Sequence, residues 1–131
     1  MSALQAQTGE AKQEVSVSLR FAPISPRKAR LVVDLIRGAT VDEAFNVLRM
    51  TRKRASTLVS KLLRSAVATA GEQHDVEAED LYIVKVWVDP GPMRRKWWAR
   101  PRGMMAPKRS RTSHIHLVVA ALNPDEEEEG A

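Results

Sequence analysis

The chain has 131 residues, of which 44% are hydrophobic and none is cysteine, a composition that suits one domain with a small core. Five of its sixteen acidic residues lie at positions 125–129, so the remainder carries 21 basic and 11 acidic side chains, a net charge of +10. The composition excludes a disulfide framework, a thiolate metal site and a membrane span, and it favours a cytoplasmic protein with a polyanionic partner.

The two ends of the chain differ in character from its centre. Residues 1–14 are polar without periodic apolar positions, and residues 123–131 are acidic, so we expect a disordered extension and a disordered tail. One domain is predicted between them, over residues 15–122. It begins with the alternating apolar and polar residues of a strand at positions 15–22.

Three helices are predicted after this strand. The first begins behind the N-cap Ser25 and ends before Gly38, and the second begins at the capping box of residues 40–43. A longer third helix extends from about residue 53, and we expect it to stop at Gly71. Each shows apolar residues at helical spacing, so the three are expected to share one core.

The last third of the domain is predicted to be a long β-hairpin over residues 81–122. Its two ends are apolar and rich in β-branched residues, and its midpoint falls at Arg102 and Gly103, where glycine suits a tight turn. We place the tip near residues 98–108. The fold class is therefore α+β: a small antiparallel sheet packed with three helices, from which one long hairpin projects.

The outer half of this hairpin favours nucleic acid as the partner. It carries eight positive charges, six of them arginines, and the adjacent Trp97 and Trp98, with no acidic residue from position 91 to 123. Arginine contacts phosphates in pairs, and exposed tryptophans suit stacking on unpaired bases. Further basic groups lie at 27–30 and 49–54, with Lys61 and Arg64 as weaker candidates. These groups either bind the same polyanion or are solvated helix faces.

The sequence also bears on two other classes of function, an enzyme and a DNA-binding protein. His114 and His116 lie on the same side of a predicted strand, but the acid-free stretch around them offers no carboxylate for a hydrolytic or metal site. We therefore expect no enzyme, metal, cofactor or small-molecule substrate. An architectural DNA-binding protein with a basic β-arm is the alternative function.

Three blocks, at residues 22–38, 88–92 and 111–115, resemble in order the signatures of the bacterial large-subunit ribosomal protein twenty-two family. The resemblance covers about residues 15–122. It implies a cytoplasmic, structural constituent of the large ribosomal subunit that binds large-subunit ribosomal RNA and neighbouring ribosomal proteins. It also implies a role in subunit assembly and a hairpin tip that lines the peptide exit tunnel, where a nascent peptide passes.

The resemblance implies RNA contacts on the first helix, along the hairpin and on its returning arm. With the two tryptophans, these predicted residues are Ser25, Arg27, Lys28, Arg30, Arg94, Arg95, Lys96, Trp97, Trp98, Arg100, Arg102, Lys108, Arg109, Arg111, Thr112, Ser113 and His114. The predicted tunnel tip consists of Arg100, Arg102, Gly103, Met104 and Met105. Relatives commonly have Gly-Arg-Ala where this chain has Gly-Met-Met, so its tip is expected to be bulkier and less charged.

Overall fold

The computed structural model describes residues 13–121. The predicted N-terminal extension up to residue 12 and the predicted acidic tail lie outside the described residues. Within them, three α-helices and five strands form the predicted α+β fold, and the fold class is confirmed. In chain order they are β1 (Glu14–Ala22), α1 (Pro26–Ile36), α2 (Val41–Met50), α3 (Arg54–His74), β2 (Leu81–Pro90), β3 (Arg94–Ala99), β4 (Met105–Ser110) and β5 (Ser113–Ala121).

The core sheet has three antiparallel strands in the order β1-β5-β2. Alternate residues of the central strand, Ile115, Leu117 and Val119, are fully buried against the helices. The residues between them, including His114 and His116, lie on the opposite side of the sheet, because successive side chains of a strand point to opposite faces. We call this second side the outer sheet face.

The starts of the first two helices follow from their capping residues. The Ser25 hydroxyl accepts a hydrogen bond from the Lys28 amide, and the Thr40 hydroxyl accepts one from the Glu43 amide. Gly38, with φ of +78°, ends the α1 segment as predicted. Among the described residues, no helix combines the length and the apolar character that crossing a membrane requires.

The end of α3 was predicted wrongly. The helix continues through Gly71 to His74, and the left-handed residue that follows it is Asp75, with φ of +52°. Glycine is tolerated inside a helix at a cost of about 1 kcal/mol, and the short polar side chain of aspartate permits the left-handed conformation. The glycine therefore marked the last turn of the helix but not its end.

The free edge of β2 is covered by α1 and the segment after it. Arg30 donates from Nη2 to the Val88 carbonyl at 3.1 Å, and Arg37 donates from Nη2 to the Val86 carbonyl at 3.0 Å. Arg37 directly follows the last residue of α1 and is seven positions after Arg30, and the two acceptors are two residues apart on the strand. Unpaired strand edges invite pairing with other chains, so both arginines contribute to the fold.

Candidate nucleic-acid interface

The outer half of the hairpin is a separate two-stranded ribbon. Its strands pair from Arg94 opposite Ser110 to Ala99 opposite Met105, and a short 3-10 turn closes it at Pro101–Gly103. The turn is centred where the sequence predicted, and Gly103 has φ of +70°. The unpaired tip is shorter than the predicted residues 98–108, since the flanks of that range still belong to the ladder.

The two faces of this ribbon differ in chemistry. One face, which we call the lysine face, presents Arg94, Lys96 and Trp98 beside Ala106, Lys108 and Ser110. The other, which we call the proline face, presents Arg95, Trp97 and Ala99 beside Met105, Pro107 and Arg109. Near the tip, the proline face is therefore apolar, while toward the body both faces are cationic.

Like charges oppose one another directly across the ribbon. Arg95 pairs with Arg109 and Lys96 pairs with Lys108, an arrangement that destabilises a strand pair. The Nζ atom of Lys108 lies 4.5 Å from the centre of the Trp98 ring, a cation–π contact that offsets part of this repulsion. A polyanion placed along the ribbon would neutralise the remainder.

The largest side chains of the ribbon and its tip are exposed. Trp97 is 66% exposed and Trp98 is 50% exposed, and the two rings lie on opposite faces. Met104 and Met105 are 68% and 64% exposed. Apolar surface of this extent on an isolated ribbon is typical of a segment that is covered by a partner.

The ribbon joins the body at a narrow root. The Gly91 amide donates to the Thr112 carbonyl at 2.9 Å, and the Thr112 hydroxyl donates to the Pro92 carbonyl at 2.7 Å. A Cβ atom on Gly91 would lie 2.5 Å from the Thr112 hydroxyl oxygen. The two strands approach closely at this point only because position 91 has no side chain.

Basic residues that are distant in sequence converge around this root. One groove lies between the start of α1 and the root, and it is lined by Arg27, Lys28, Arg30 and Arg111. A second groove adjoins it and is lined by Lys28, Lys53, Arg54, Arg109 and Arg111. The three basic groups are far apart in the sequence. The structure adds that the start of α3 shares a surface with the returning arm of the hairpin.

A further basic groove lies between α2 and α3, and its lining shares no residue with the two grooves at the root. Arg49, Lys61 and Arg64 line it together with the hydroxyl groups of Thr57 and Ser60. Lys61 and Arg64 are the weaker sequence candidates, whereas Arg49 belongs to the basic group at 49–54. They form a surface distinct from the residues around the hairpin.

The three predicted contact residues that carry a hydroxyl group have structural roles or are buried. The Ser25 hydroxyl caps α1 and the Thr112 hydroxyl holds the hairpin root, as described above. Ser113 is fully buried, and its hydroxyl has no hydrogen-bond partner within residues 13–121. Its side chain does not reach the surface, so a direct RNA contact does not fit its position, and we leave Ser113 out of the interface.

The two histidines lie in a polar and aromatic cluster on the outer sheet face. The Ser18 hydroxyl lies 2.8 Å from His116 Nδ1, and Asp89 Oδ2 lies 3.2 Å from His116 Nε2. The Trp87 ring stacks on the His116 ring, with 5.0 Å between centroids. The expectation that no carboxylate lies near the histidines was wrong, because strand pairing brings Asp89 beside them. Within residues 13–121, no three side chains form a group suited to a metal ion.

His114 occupies the neighbouring position on this face. Its Nδ1 atom accepts a hydrogen bond from the Phe21 amide at 3.0 Å, and the two rings meet edge to face with 5.0 Å between centroids. Phe21 has φ of +58°, at an irregularity in the pairing of β1 with β5. His114 therefore contributes to the fold at the end of the sheet nearest the root.

Comparison with known proteins identifies relatives over most of the chain. Residues 17–120 match the family model described as ribosomal protein L22p/L17e. A protein of Carboxydothermus hydrogenoformans named large ribosomal subunit protein uL22 is 48% identical over 107 residues, which cover 82% of this chain and 95% of the relative. The protein of the same name from Halothermothrix orenii is 45% identical over the same coverage. That from Lactobacillus delbrueckii is 47% identical over 79% of this chain and 89% of the relative.

Proposed function

Because the chain belongs to the ribosomal protein L22p/L17e family, we propose that it is a structural constituent of the large ribosomal subunit in the cytoplasm. In this role it binds large-subunit ribosomal RNA, contacts neighbouring ribosomal proteins and supports assembly of the subunit. The relatives are named as ribosomal proteins, and the alternative of an architectural DNA-binding protein finds no support among them.

The observation that carries the proposal is the convergence of basic side chains around the hairpin root. Cations from α1, from the start of α3 and from β4 line two adjoining grooves. The groove linings named for both sites contain no acidic side chain. A phosphate backbone crossing the root would meet charges from three elements at once, and release of its counterions would drive binding.

The ribbon extends this interface away from the body. Its repelling pairs favour a state in which RNA phosphates lie along both arms, because the phosphates replace repulsion between cations with attraction. Trp97 and Trp98 are exposed on opposite faces, so each is available to stack on an unpaired base. The arms thus anchor the hairpin through charge and through aromatic surface.

The tip is proposed to line the peptide exit tunnel and to meet the nascent peptide. Arg100, Arg102, Gly103, Met104 and Met105 form or flank the turn, and the proline face behind them is apolar. An exposed methionine pair offers flexible apolar contact without specificity for particular side chains, which suits a passing peptide of varied sequence. The tip therefore has a different task from the arms.

We assign no catalytic role to the contacts of His116. Ser18, His116 and Asp89 are residue types used by hydrolases, and each comes from a different strand of the core sheet, but none of them lines one of the three grooves described above. Their side chains connect β1, β5 and β2 across the outer sheet face, and this arrangement stabilises the sheet.

Sedimentation of the full-length chain in cells tests the proposed function. We expect the protein to migrate with large subunits through a high-salt sucrose cushion after DNase treatment, and to be released by extensive RNase treatment. Migration free of subunits, or loss on DNase treatment, would overturn the ribosomal assignment.

The root interface is tested with paired charge variants. The double variant Arg109→Gln, Arg111→Gln removes two cations at the root. The matched control, Lys61→Gln with Arg64→Gln, removes two cations from the groove between α2 and α3. If each root cation neutralises one phosphate, the slope of log affinity against log salt falls by about 1.4 to 1.8 in the root variant. Equal slopes in the root variant and the unaltered chain would contradict the interface.

A further inference from the structure

The outer sheet face exposes aromatic rings that the proposed interface does not use. Trp87 is 39% exposed on β2, and Phe21 is 59% exposed at the end of β1. Each ring contacts a histidine of β5, which lies between the two strands. All three helices pack on the other side of the sheet, so these rings lie on a face that the described helices leave open.

The Trp87 ring is held in a defined position. Its stacking partner His116 is fixed at both ring nitrogens, by Ser18 on one neighbouring strand and by Asp89 on the other. The two rings are inclined by only 23°, a nearly parallel stack. A further planar group placed on Trp87 would extend an existing stack, and little side-chain entropy would be lost because the ring is already ordered.

Positive charge lies beside these rings. The Arg20 guanidinium carbon is 5.6 Å from the centre of the Phe21 ring, and Lys85 is exposed two residues before Trp87 on the same face. The carboxylate nearest the stack, that of Asp89, is engaged by His116. A planar group attached to a phosphate backbone matches this combination better than a neutral peptide does.

The face is also continuous with the proposed RNA interface. β2 and β5 lead directly into the hairpin root, and Trp87 is four residues from Gly91. The root grooves lie on the helical side of the sheet, so an RNA strand that leaves them would pass around the root and lie along the outer sheet face, with a base on the aromatic stack. Antiparallel sheets with exposed aromatic residues commonly bind single-stranded RNA in this way.

We propose that the outer sheet face is a stacking platform for an unpaired RNA base, with Trp87 beneath the base and Arg20 and Lys85 beside its flanking phosphates. His116 acts as a positioning residue that holds the ring. The platform rests on the proposed RNA-binding function, and it adds a single-strand contact to the phosphate contacts of the root.

Binding of the full-length chain to a single-stranded eight-nucleotide oligoadenylate and to an eight-base-pair RNA duplex tests the platform. Trp87→Ala should lower affinity for the single strand by about tenfold, in the range found for loss of one base–aromatic stack. Affinity for the duplex should change by less than about twofold, because its bases are already stacked. Trp87→Phe, which keeps a ring, should retain most of the single-strand affinity.

The salt dependence separates this proposal from the function on which it rests. Trp87→Ala should leave the salt slope unchanged, since the ring carries no charge. If Trp87→Ala binds both probes like the unaltered chain while the Arg109 and Arg111 variant is impaired, the platform is wrong and the proposed function stands. If the unaltered chain binds neither probe, both are wrong.

Crosslinking within assembled subunits identifies the occupant directly. A photoreactive phenylalanine analogue at position 87 should label ribosomal RNA when the chain is incorporated in cells. The matched control places the analogue at position 35, an exposed leucine of α1, the helix that packs on the other side of the sheet. Labelling of a ribosomal protein at position 87 in place of RNA would overturn the platform.

Discussion

Two buried serines contribute to the stability of this protein with opposite sign. The Ser56 hydroxyl donates to the carbonyl groups of Thr51 and Lys53 at the start of α3, whereas the Ser113 hydroxyl is buried without a partner among the described residues. A buried hydroxyl without a hydrogen bond costs about 1–3 kcal/mol of folding free energy, while one that is bonded contributes about 1 kcal/mol.

Ser113→Ala is therefore expected to raise the free energy of unfolding by about 1 kcal/mol. The matched variant Ser56→Ala is expected to lower it by a similar amount, because it removes a hydrogen bond at the start of a helix. Urea unfolding of both variants, followed by circular dichroism, measures the difference. Destabilisation by Ser113→Ala would show that its hydroxyl has a partner that the described contacts lack.

Gly91 and Gly71 form a second matched pair. A Cβ atom at position 91 would force the Thr112 hydroxyl away from the Pro92 carbonyl, and it would also lie 3.2 Å from the Thr112 carbonyl carbon. We expect Gly91→Ala to destabilise the chain by about 1–3 kcal/mol.

Gly71→Ala places a methyl group in open space on an exposed helical turn, so it should stabilise by about 0.5–1 kcal/mol. Thermal unfolding of both glycine variants provides the measurement. Equal effects at the two positions would show that the root is not closely packed.

At the scale of elements, the turn determines how β3 and β4 pair, whereas the charges on these two strands weaken the pairing. Arg102 and Gly103 both adopt left-handed backbone conformations at the turn, which fixes the register of the ladder. The opposed cations then weaken the same ladder. The turn thus selects one geometry for the ribbon, and this geometry becomes fully stable only when a polyanion neutralises the cations.

Arg109→Glu converts one repelling pair into an attractive pair with Arg95. We expect amide hydrogen exchange in the free protein to slow about two- to fivefold across β3 and β4, in line with a cross-strand charge effect of about 0.5–1 kcal/mol. RNA affinity should fall at the same time. Arg100→Glu makes the same charge change outside the ladder and should leave the exchange rates unaltered.

The elements were predictable from the sequence where one local signal decided them. Ser25 and Thr40 gave the helix starts through capping, and the hairpin centre followed from the position of Gly103. The contacts of Asp89 and the burial of Ser113 were not predictable, because strand register decides both. A shift of one residue in the pairing would have exchanged the two sides of the sheet.

At the scale of the whole molecule, charge is divided between two ends. α1 and α3 both begin near the hairpin root, and basic residues cluster there. At the opposite end of the sheet, the start of α2 and the segment between α3 and β2 are acidic. The acidic residues of this end are Glu14, Asp42, Glu43, Glu72, Asp75, Glu77, Glu79 and Asp80. Such a distribution turns the basic end toward RNA during approach.

A further five acidic residues, at 125–129, follow in sequence the end of β5 that lies farthest from the root. Deleting residues 124–131 should raise affinity for RNA about two- to fivefold at 0.05 M salt, because the net charge of the chain rises by five. At 0.5 M salt, exposed charges more than a few ångströms apart are screened from one another, so the deletion should have no effect.

Replacing residues 125–129 with glutamine keeps the length and removes the charge, so it should reproduce the low-salt gain. A gain on deletion without a gain on replacement would assign the effect to the chain segment itself, and unchanged low-salt affinity in both variants would contradict electrostatic shielding by the tail.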